Sequence, residues 1–483
     1  MSKSIKANYI YTIANTFLGL IFPLITFPYV SRTLQPEGFG LYNFYNSIIA
    51  YVGLFANIGI SLYATREVAR HREDLEARSK LTAEIFLLNL ITTCLAYSSI
   101  FILGSFVPRI HENSELFYVM SISILLGPLS VNWFFQAMED FKYITIRSLL
   151  VKLLSLIFLL TFVKEKEDVM IYAIVGLIAT TGNNLFNIIH LRKFIRLKGL
   201  KWTQLSIFRH LRPSLMLFVL NIAISIYVNL DSVMLGFIQS DEAVGYYTVA
   251  GRISHIILSL VTSLGVVLLP RFSYLLEANE TEEFNRLCRK SMDFTLGISL
   301  PIVVGLIMLA SPLITFVFGQ SYKESVLVLQ LISPIILFAG ITNVLGIQIL
   351  YPKGKEKLMI YSTIGAAIVN FSLNFVLIPS YSYNGAAFST CVAEFVVLLI
   401  QLWLGKQYFP EGIISKNIFD YLMGVILSAV VLWGVLMFRM PMWAELLLGS
   451  VSGALAYFVF LILRKNELAQ NILFTVKNKI KWT

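Results

Sequence analysis

The chain alternates apolar runs of membrane-spanning length with short loops, and this pattern constrains the fold more than any single motif. A helix needs about 20 apolar residues to cross a bilayer. Hydrophobic residues make up 57% of the chain and charged residues only 14%, whereas soluble domains carry about 25% charged residues. The sequence predicts fourteen spans, at residues 8–30, 41–63, 83–107, 116–137, 144–163, 169–190, 213–238, 246–270, 294–318, 325–350, 358–379, 385–404, 418–438 and 443–463.

Lysine and arginine concentrate in every second loop, which predicts the orientation of the spans. With the N-terminus taken as cytoplasmic, 30 of the 38 basic residues lie in inner segments and 6 in outer loops. Cytoplasmic loops carry this excess in membrane proteins, so both termini are expected in the cytoplasm. The net charge of +10 is spread over eight loops and does not form the single basic surface that nucleic acids bind. No nucleic-acid partner is therefore expected.

The most basic loop, residues 191–212, reads LRKFIRLKGLKWTQLSIFRHLR. Its mixture of basic and apolar residues predicts an amphipathic helix lying at the membrane surface. Such a helix would contact anionic lipid headgroups. The alternative is a linker whose charges only set the topology.

Two short segments half a chain apart match each other. PEGFGLYN (36–43) and DEAVGYYT (241–248) share an acidic residue, a glycine and a tyrosine in register, the glycines being Gly40 and Gly245. Both lie in an outer hairpin loop that leads into the next span. They are six spans apart, and since six is even, both copies keep the same orientation. This favours an internal duplication of parallel repeats, as in some transporters; a chance match of turn residues is the alternative.

The duplication predicts the architecture. We expect an all-α polytopic membrane protein with about fourteen transmembrane helices, in which two six-helix lobes form a parallel pseudo-twofold repeat followed by a C-terminal helix pair. The N-terminal lobe is predicted at residues 1–200 and the C-terminal lobe at 201–405. The extra helix pair and cytoplasmic tail follow at 406–483. A cavity between the lobes is the expected substrate site.

Three segments resemble bacterial polysaccharide flippases of the Wzx type. FPLITFPYVSRTLQPEGFGLYNF (22–44) is similar to the family's first hairpin, with Gln35 where the family usually has glycine. NLDSVMLGFIQSDEAVGYYTVAGRIS (229–254) resembles its span 7–8 hairpin, and GISLYATREVAR (59–70) resembles the start of its first long cytoplasmic loop. The resemblance covers about the first 400 residues. It implies membership of the multidrug/oligosaccharidyl-lipid/polysaccharide exporter superfamily.

Ionisable side chains inside the spans are the main candidates for a transport site, because a charge at membrane depth usually faces a partner or a hydrated cavity. Lys152, Asp231, Arg252 and Glu394 are such residues. Asp231 and Arg252 lie near the same end of adjacent spans, each about 10 Å below the outer surface at a rise of 1.5 Å per residue. They either pair across the hairpin, or Arg252 binds an anionic substrate while Asp231 orients it or exchanges a proton.

Other polar residues extend this candidate set. Lys152 is in the middle of span 5 and has no acidic residue within one turn, so it is expected to face a cavity. Glu394 either pairs with Lys152 across the lobes or carries a proton. The resemblance implies that Arg32 contacts substrate, and anchoring at the headgroups is the alternative. Amides such as Asn221 and Asn229 suit the binding of sugars, although hydrogen bonds between helices explain them equally.

The resemblance implies a flippase that moves undecaprenyl-pyrophosphate-linked oligosaccharide repeat units across the bacterial inner membrane by alternating access, for O-antigen or capsule synthesis. The expected partners are this substrate, membrane lipids and the polysaccharide polymerase machinery. The expected substrate-binding residues of the central cavity are Arg32, Lys152, Arg252, Asn221 and Asn229, with Asp231 and Glu394 as ion-coupling residues or charge partners.

Other functions fit the sequence less well. A multidrug or cation antiporter of the same superfamily would prefer an acidic cavity, which Lys152 and Arg252 disfavour. The peptidoglycan-precursor flippases resemble this chain but carry more basic residues in span 1. An enzyme is not expected, because there is no P-loop motif, no acid/base constellation and no long outer loop. We therefore expect no catalytic residue, no metal and no cofactor.

Overall fold

The described part of the protein consists of helices joined by turns and short irregular segments. A computed structural model describes residues 5–196, 198, 202–414 and 417–470. Short 3-10 turns and one π-helical stretch connect or extend the α-helices. The α-helices are α1 (Ile5–Asn57), α2 (Ile60–Arg70), α3 (Leu75–Phe106), α4 (Pro108–His111), α5 (Ser114–Leu125), α6 (Asn132–Ala137), α7 (Phe141–Phe162), α8 (Val169–Leu191), α9 (Leu211–Ile238), α10 (Asp241–Glu277), α11 (Thr281–Phe318), α12 (Ser325–Ile332), α13 (Ile335–Asn343), α14 (Glu356–Gly405), α15 (Ile418–Met437) and α16 (Met442–Leu463).

Ten helices in the described part of the chain are long and apolar enough to cross a membrane, and a bent pair, α5 with the segment Gly127–Ala137, makes eleven. Two long helices each contain one residue with non-helical backbone angles, Gln35 in α1 and Ser382 in α14. These residues lie where the sequence predicts the turns between spans 1 and 2 and between spans 11 and 12. The predicted all-α, multi-spanning fold is confirmed, while the count of fourteen stays a prediction.

The chain divides into two compact units, Met1–Gly245 and Tyr246–Thr483. The division falls inside α10, because the first turn of that helix packs with residues of the first unit. The units are defined by contacts, whereas the sequence predicts lobes from the repeat. The predicted boundaries after residues 200 and 405 therefore stay predictions.

The bent pair in the first unit shows how the carbonyl groups at the break of a span obtain hydrogen-bond donors. A 3-10 turn at Gly127–Ser130, which contains Pro128, separates α5 from α6. Within a membrane, carbonyl groups freed by such a break need new donors. The Asn184 amide donates to the Leu126 carbonyl at 2.7 Å, and the Asn187 amide donates to the Ser130 carbonyl. Helix α8 thus supplies the donors that the break requires.

The loop that joins α8 to α9 is not the amphipathic helix that the sequence predicts. Its described residues form turns after α8 and two short 3-10 turns, Trp202–Gln204 and Ile207–His210. Specific contacts hold the backbone in this form. The Arg78 guanidinium donates to the Phe194 carbonyl at 2.7 and 3.1 Å, and Glu84 binds the amide of Ser206 at 2.8 Å. Hydrogen bonds to α3 therefore replace the helical ones.

Candidate functional site

The basic residues predicted for the transport site differ in burial. Lys152 is half-buried near the middle of α7. Among the residues that the structure describes, it makes no ion pair and no side-chain hydrogen bond. Arg32 on α1 and Arg252 on α10 are both exposed. Of these three predicted cations, Lys152 is therefore the one whose charge no described protein group neutralises, as expected for a ligand-binding residue.

The other predicted site residues are less accessible. Asp231 on α9 is buried and lies within electrostatic range of Tyr51. Asn229 and Glu394 are half-buried, and Asn221 lies outside the residues whose side chains are described. Because Lys152 and Asp231 belong to the first compact unit and Arg252 and Glu394 to the second, their convergence on one cavity stays a prediction.

A second cation of α7, Arg147, was not predicted as a site residue. It is only 5% exposed, and its guanidinium donates to three amide oxygens rather than to a carboxylate. Asn183 accepts at 3.0 Å, Asn132 at 2.9 Å, and Asn187 accepts from the remaining nitrogen. The guanidinium also lies 5.1 Å from the centre of the Tyr143 ring, within the range of cation–π contacts. Arg147 thus joins α6, α7 and α8.

The sequence carried a signal for this cluster that was overlooked. Arg147 lies in the first turn of the span predicted at 144–163, next to the preceding inner loop, where a basic residue is usually attributed to the topology. Asn183 and Asn187 are four residues apart in the next span and therefore lie on one helix face. An arginine beside such a pair of amides, in antiparallel neighbouring spans, indicates an internal hydrogen-bond network.

The two matched segments of the repeat cross each other in direct backbone contact. A Cβ atom added to Gly40 would collide with the carbonyl of Asp241, and one added to Gly245 would collide with the carbonyl of Pro36. Pro36 and Asp241 are equivalent positions of the repeat, so the contact is reciprocal. Reciprocal contacts are what a twofold relation between two copies produces. We call this contact the glycine crossing, formed by residues 36–40 and 241–245.

Arg109 on α4 contacts the end of α9 and the start of α10, next to the glycine crossing. Its guanidinium forms ion pairs with Asp241 at 2.7 Å and Glu112 at 3.0 Å. Its Nε donates to the Gly236 carbonyl at 3.1 Å, in the last turn of α9. Asp241 also lies at the N-terminus of α10, where a carboxylate is favoured by the helix dipole. One side chain therefore bridges the end of α9 and the start of α10.

A buried carboxylate holds the opposite end of the first unit. Glu84 on α3 is fully buried and lies 2.6 Å from Arg209 Nη2 and 2.9 Å from His210 Nε2. The other ring nitrogen of His210 lies 2.7 Å from the Tyr63 hydroxyl. We call Tyr63, Glu84, Arg209 and His210 the Glu84 cluster. It fixes the loop before α9 to α2 and α3.

The protonation state of His210 follows from its position. Burial lowers the pKa of His210 below its usual value, and the hydrogen bond to Glu84 offsets this only in part. A neutral imidazole that donates from Nε2 to Glu84 leaves Nδ1 to accept the Tyr63 hydroxyl proton. Both ring nitrogens are then satisfied, and the imidazole adds no third charge to those of Glu84 and Arg209.

Comparison with known proteins assigns the chain to a family. The sequence profile described as "Polysaccharide biosynthesis protein" matches residues 5–276, more than half of the chain. The chain belongs to this polysaccharide biosynthesis protein family. The MatE profile also matches, at residues 217–376. The predicted membership of the superfamily that joins polysaccharide flippases and multidrug exporters is thereby confirmed.

Relatives within and near this family match over most of their length. The "Putative O-antigen transporter" of Escherichia coli (strain K12) is 26% identical over 402 residues, which cover 83% of this chain and 96% of that protein. The "Capsular polysaccharide biosynthesis protein CapF" of Staphylococcus aureus is 24% identical over 418 residues, 83% of this chain and 99% of that protein. The structure of "Lipid II flippase MurJ, inward closed conformation" aligns with a TM-score of 0.63 at 17% identity, covering 95% of this chain and 99% of that one. This likeness shows a shared fold.

Proposed function

We propose that this polysaccharide biosynthesis protein is a flippase for lipid-linked oligosaccharides. The observation that carries the proposal is the family match together with near full-length similarity to a putative O-antigen transporter and to a capsular polysaccharide biosynthesis protein. The substrate is an undecaprenyl-pyrophosphate-linked repeat unit, and the chain acts in the bacterial inner membrane with both termini in the cytoplasm. It moves the substrate without covalent chemistry, and the polymerase machinery receives the product.

The pyrophosphate headgroup requires cations at membrane depth. Lys152 is the strongest candidate, since it is half-buried in the middle of α7 and no described group neutralises it. Arg32 and Arg252 are the other predicted substrate-binding cations, and Asp231 and Glu394 are the predicted ion-coupling residues or charge partners. An anion that leaves water recovers more energy from a charge at this depth than from one at the surface, because the surroundings are less polar.

Alternating access requires one closed end to open during each cycle. The glycine crossing is suited to this step, because it is held by backbone packing and by ion pairs of Arg109, which is 27% exposed. Such contacts separate without leaving a fully buried charge unpaired. The Glu84 cluster lacks this property, because its carboxylate is completely buried.

A multidrug antiporter is the second candidate, and the MatE profile match favours it. Antiporters of cationic drugs need an acidic site. In the first unit, the described residues that line the main cavity include no acidic side chain. The presence of Lys152 also opposes a cationic cargo.

Gene deletion in the native host separates the two candidates. Loss of a flippase traps lipid-linked sugar on the inner leaflet and removes surface glycan, whereas loss of an antiporter changes only drug tolerance. Complementation with Lys152→Ala is expected to restore the protein level but to lower surface glycan about tenfold, as for the loss of about 1.4 kcal/mol of binding. Lys142→Ala, an exposed residue at the end of the same helix, is the matched control and should complement fully. Full complementation by Lys152→Ala would remove this residue from the transport site.

A further inference from the structure

The first unit contains a polar cavity whose lining residues include neither Arg32 nor Lys152, the proposed phosphate-binding residues of this unit. Its volume is about 380 Å³, which lies in the range of ligand pockets. It is enclosed by α1 after the break at Gln35, by α3 and α5, and by α8. Four asparagines, three serines, three threonines and a tyrosine are among the residues that line it, and none of the described lining residues is charged.

Several of these polar groups have no protein partner. Thr93 on α3 is 1% exposed, and its hydroxyl forms no hydrogen bond within the described part of the chain. The side-chain amides of Asn46 and Asn89 likewise form no hydrogen bond with any described residue. A fully buried hydroxyl without a partner, such as that of Thr93, is costly and rare in native proteins. These three side chains therefore have donors and acceptors that a ligand can satisfy.

Most of the other polar side chains that line the cavity form hydrogen bonds or ring contacts within the protein. Thr181 donates to the Leu177 carbonyl at 2.7 Å, and Asn184 donates to the Leu126 carbonyl at 2.7 Å. Tyr42 packs against the Tyr172 ring, with 4.4 Å between the ring centres. Asn46 lies on α1, and Asn89 and Thr93 lie on α3, so these three side chains come from two helices of the cavity wall.

The chemistry of this surface selects an uncharged ligand. A charged group placed there would lose its hydration without gaining an opposite charge. Amide and hydroxyl side chains offer both donors and acceptors, which match the hydroxyl groups of a sugar. The apolar side chains of Ile49, Met120 and Leu177, which also line the cavity, suit the C–H faces of a pyranose ring.

We propose that this cavity binds an uncharged sugar of the lipid-linked glycan while the cations hold the pyrophosphate. This rests on the proposed flippase function and assigns a second, neutral subsite to it. The site favours repeat units that present a neutral hexose or N-acetylhexosamine over those that present a uronic acid at the same position.

Filling the cavity tests the proposal with little risk to folding. Gly53 on α1 lines the cavity, and a Cβ atom added there meets no atom within 4 Å. Gly53→Leu therefore places a side chain in the cavity and also replaces a helical glycine with a better helix former. Gly434→Leu on α15 is the matched control, because its Cβ also meets no atom within 4 Å and the residue does not line this cavity.

A second variant removes one hydrogen-bonding group without changing the shape of the cavity wall. Thr93→Val deletes the unpaired hydroxyl and keeps the side-chain volume, so protein level is expected to stay unchanged. Thr93→Ser keeps the hydroxyl and should restore function. The measurement is surface glycan per molecule of flippase in a deletion host that makes a neutral repeat unit.

We expect about a tenfold loss for Gly53→Leu and a smaller loss for Thr93→Val, with Gly434→Leu and Thr93→Ser at the wild-type value. If deletion of the gene removes surface glycan but Gly53→Leu and Thr93→Val both restore it fully, the neutral subsite is wrong and the flippase function stands. If deletion leaves surface glycan unchanged, the flippase function itself is wrong. If Gly53→Leu fails to accumulate, Thr93→Val alone decides, and full activity of that variant overturns the proposal.

Discussion

The two ends of the first unit are held by different kinds of contact. At the glycine crossing, two backbone segments touch where their glycines remove the side chains, and Arg109 adds ion pairs that remain partly exposed. At the Glu84 cluster, a fully buried carboxylate joins a histidine and an arginine. Burial decides which of them can open, because separating a buried charge pair costs several times more than separating exposed ions.

The comparison indicates which of the two contacts in this unit can open during transport. Contacts made by backbone packing and exposed ions can form and break in each transport cycle. A contact whose separation would leave a buried carboxylate unpaired is expected to stay closed throughout the cycle. We therefore assign movement to the glycine crossing and a fixed role to the Glu84 cluster, and four groups of substitutions test this assignment.

The largest effect is expected for Glu84→Ala. Removing the carboxylate leaves buried His210 without its acceptor and frees the Ser206 amide, and loss of one partner of a buried pair costs about 3–5 kcal/mol. Because Arg209 is half exposed, the lower end of that range is expected. Thermal unfolding of the purified protein measures it. Glu73→Ala, whose side chain is 93% exposed, is the control, and an equal effect of both substitutions would contradict a fixed role for the cluster.

The next effect concerns the glycines of the crossing. Gly245→Ala places a methyl group against the Pro36 carbonyl, and overpacking of this kind costs about 1–3 kcal/mol. Gly40→Ala should lower the unfolding temperature by a similar amount, because the contact is reciprocal. Gly251→Ala on the same helix meets no atom within 4 Å and should instead stabilise the protein by up to about 1 kcal/mol. The same sign for Gly245→Ala and Gly251→Ala would exclude a tight crossing.

A smaller effect is expected for Arg109→Gln. Its ion pair with Asp241 is partly exposed, and such pairs contribute about 1 kcal/mol or less. A double-mutant cycle with Asp241→Asn isolates the pair, and its coupling energy should fall at high salt because exposed charges are screened. A coupling energy as large as the Glu84→Ala effect would erase the difference between the two ends.

The smallest effect is a gain of stability. Gln35 has φ 59° and ψ 174°, a region that only glycine adopts without strain. Gln35→Gly relieves this strain and is expected to stabilise the protein by about 1 kcal/mol. The net gain is smaller, because the substitution also removes the hydrogen bond from the Gln35 side chain to the Arg32 carbonyl. Gln35→Ala is the control, since it keeps the strain and should bring no gain. A destabilised Gln35→Gly protein would show that the side chain, not the backbone, holds the turn before the crossing.

Much of the fold follows from the sequence because hydrophobic length and charge distribution act locally. The predicted turns after spans 1 and 11 coincide with Gln35 and Ser382, where the backbone angles leave the helical region. For the loop between α8 and α9, the predicted amphipathic helix is not found among the described residues, which form turns as in the alternative of a linker. Its backbone bonds to Arg78 and Glu84 on α3, and contacts between distant residues leave no periodic signal in the loop itself.

The candidate site was harder to predict for the same reason. Lys152 and Asp231 stand out because a charge within an apolar span is rare. Asn46, Asn89 and Thr93 do not stand out, because single amides and hydroxyls occur in most spans, and only packing shows which of them lack partners. Arg147 was missed because a span boundary is uncertain by a few residues, and its three amide partners come from other parts of the chain.

The reciprocal crossing also bears on the internal duplication that the sequence predicts. Each glycine rests on the first residue of the other copy, so a mutation in one copy alters the environment of the other. These positions cannot drift independently, while the surrounding spans can. We therefore expect that natural variants of Gly40 and Gly245 arise together.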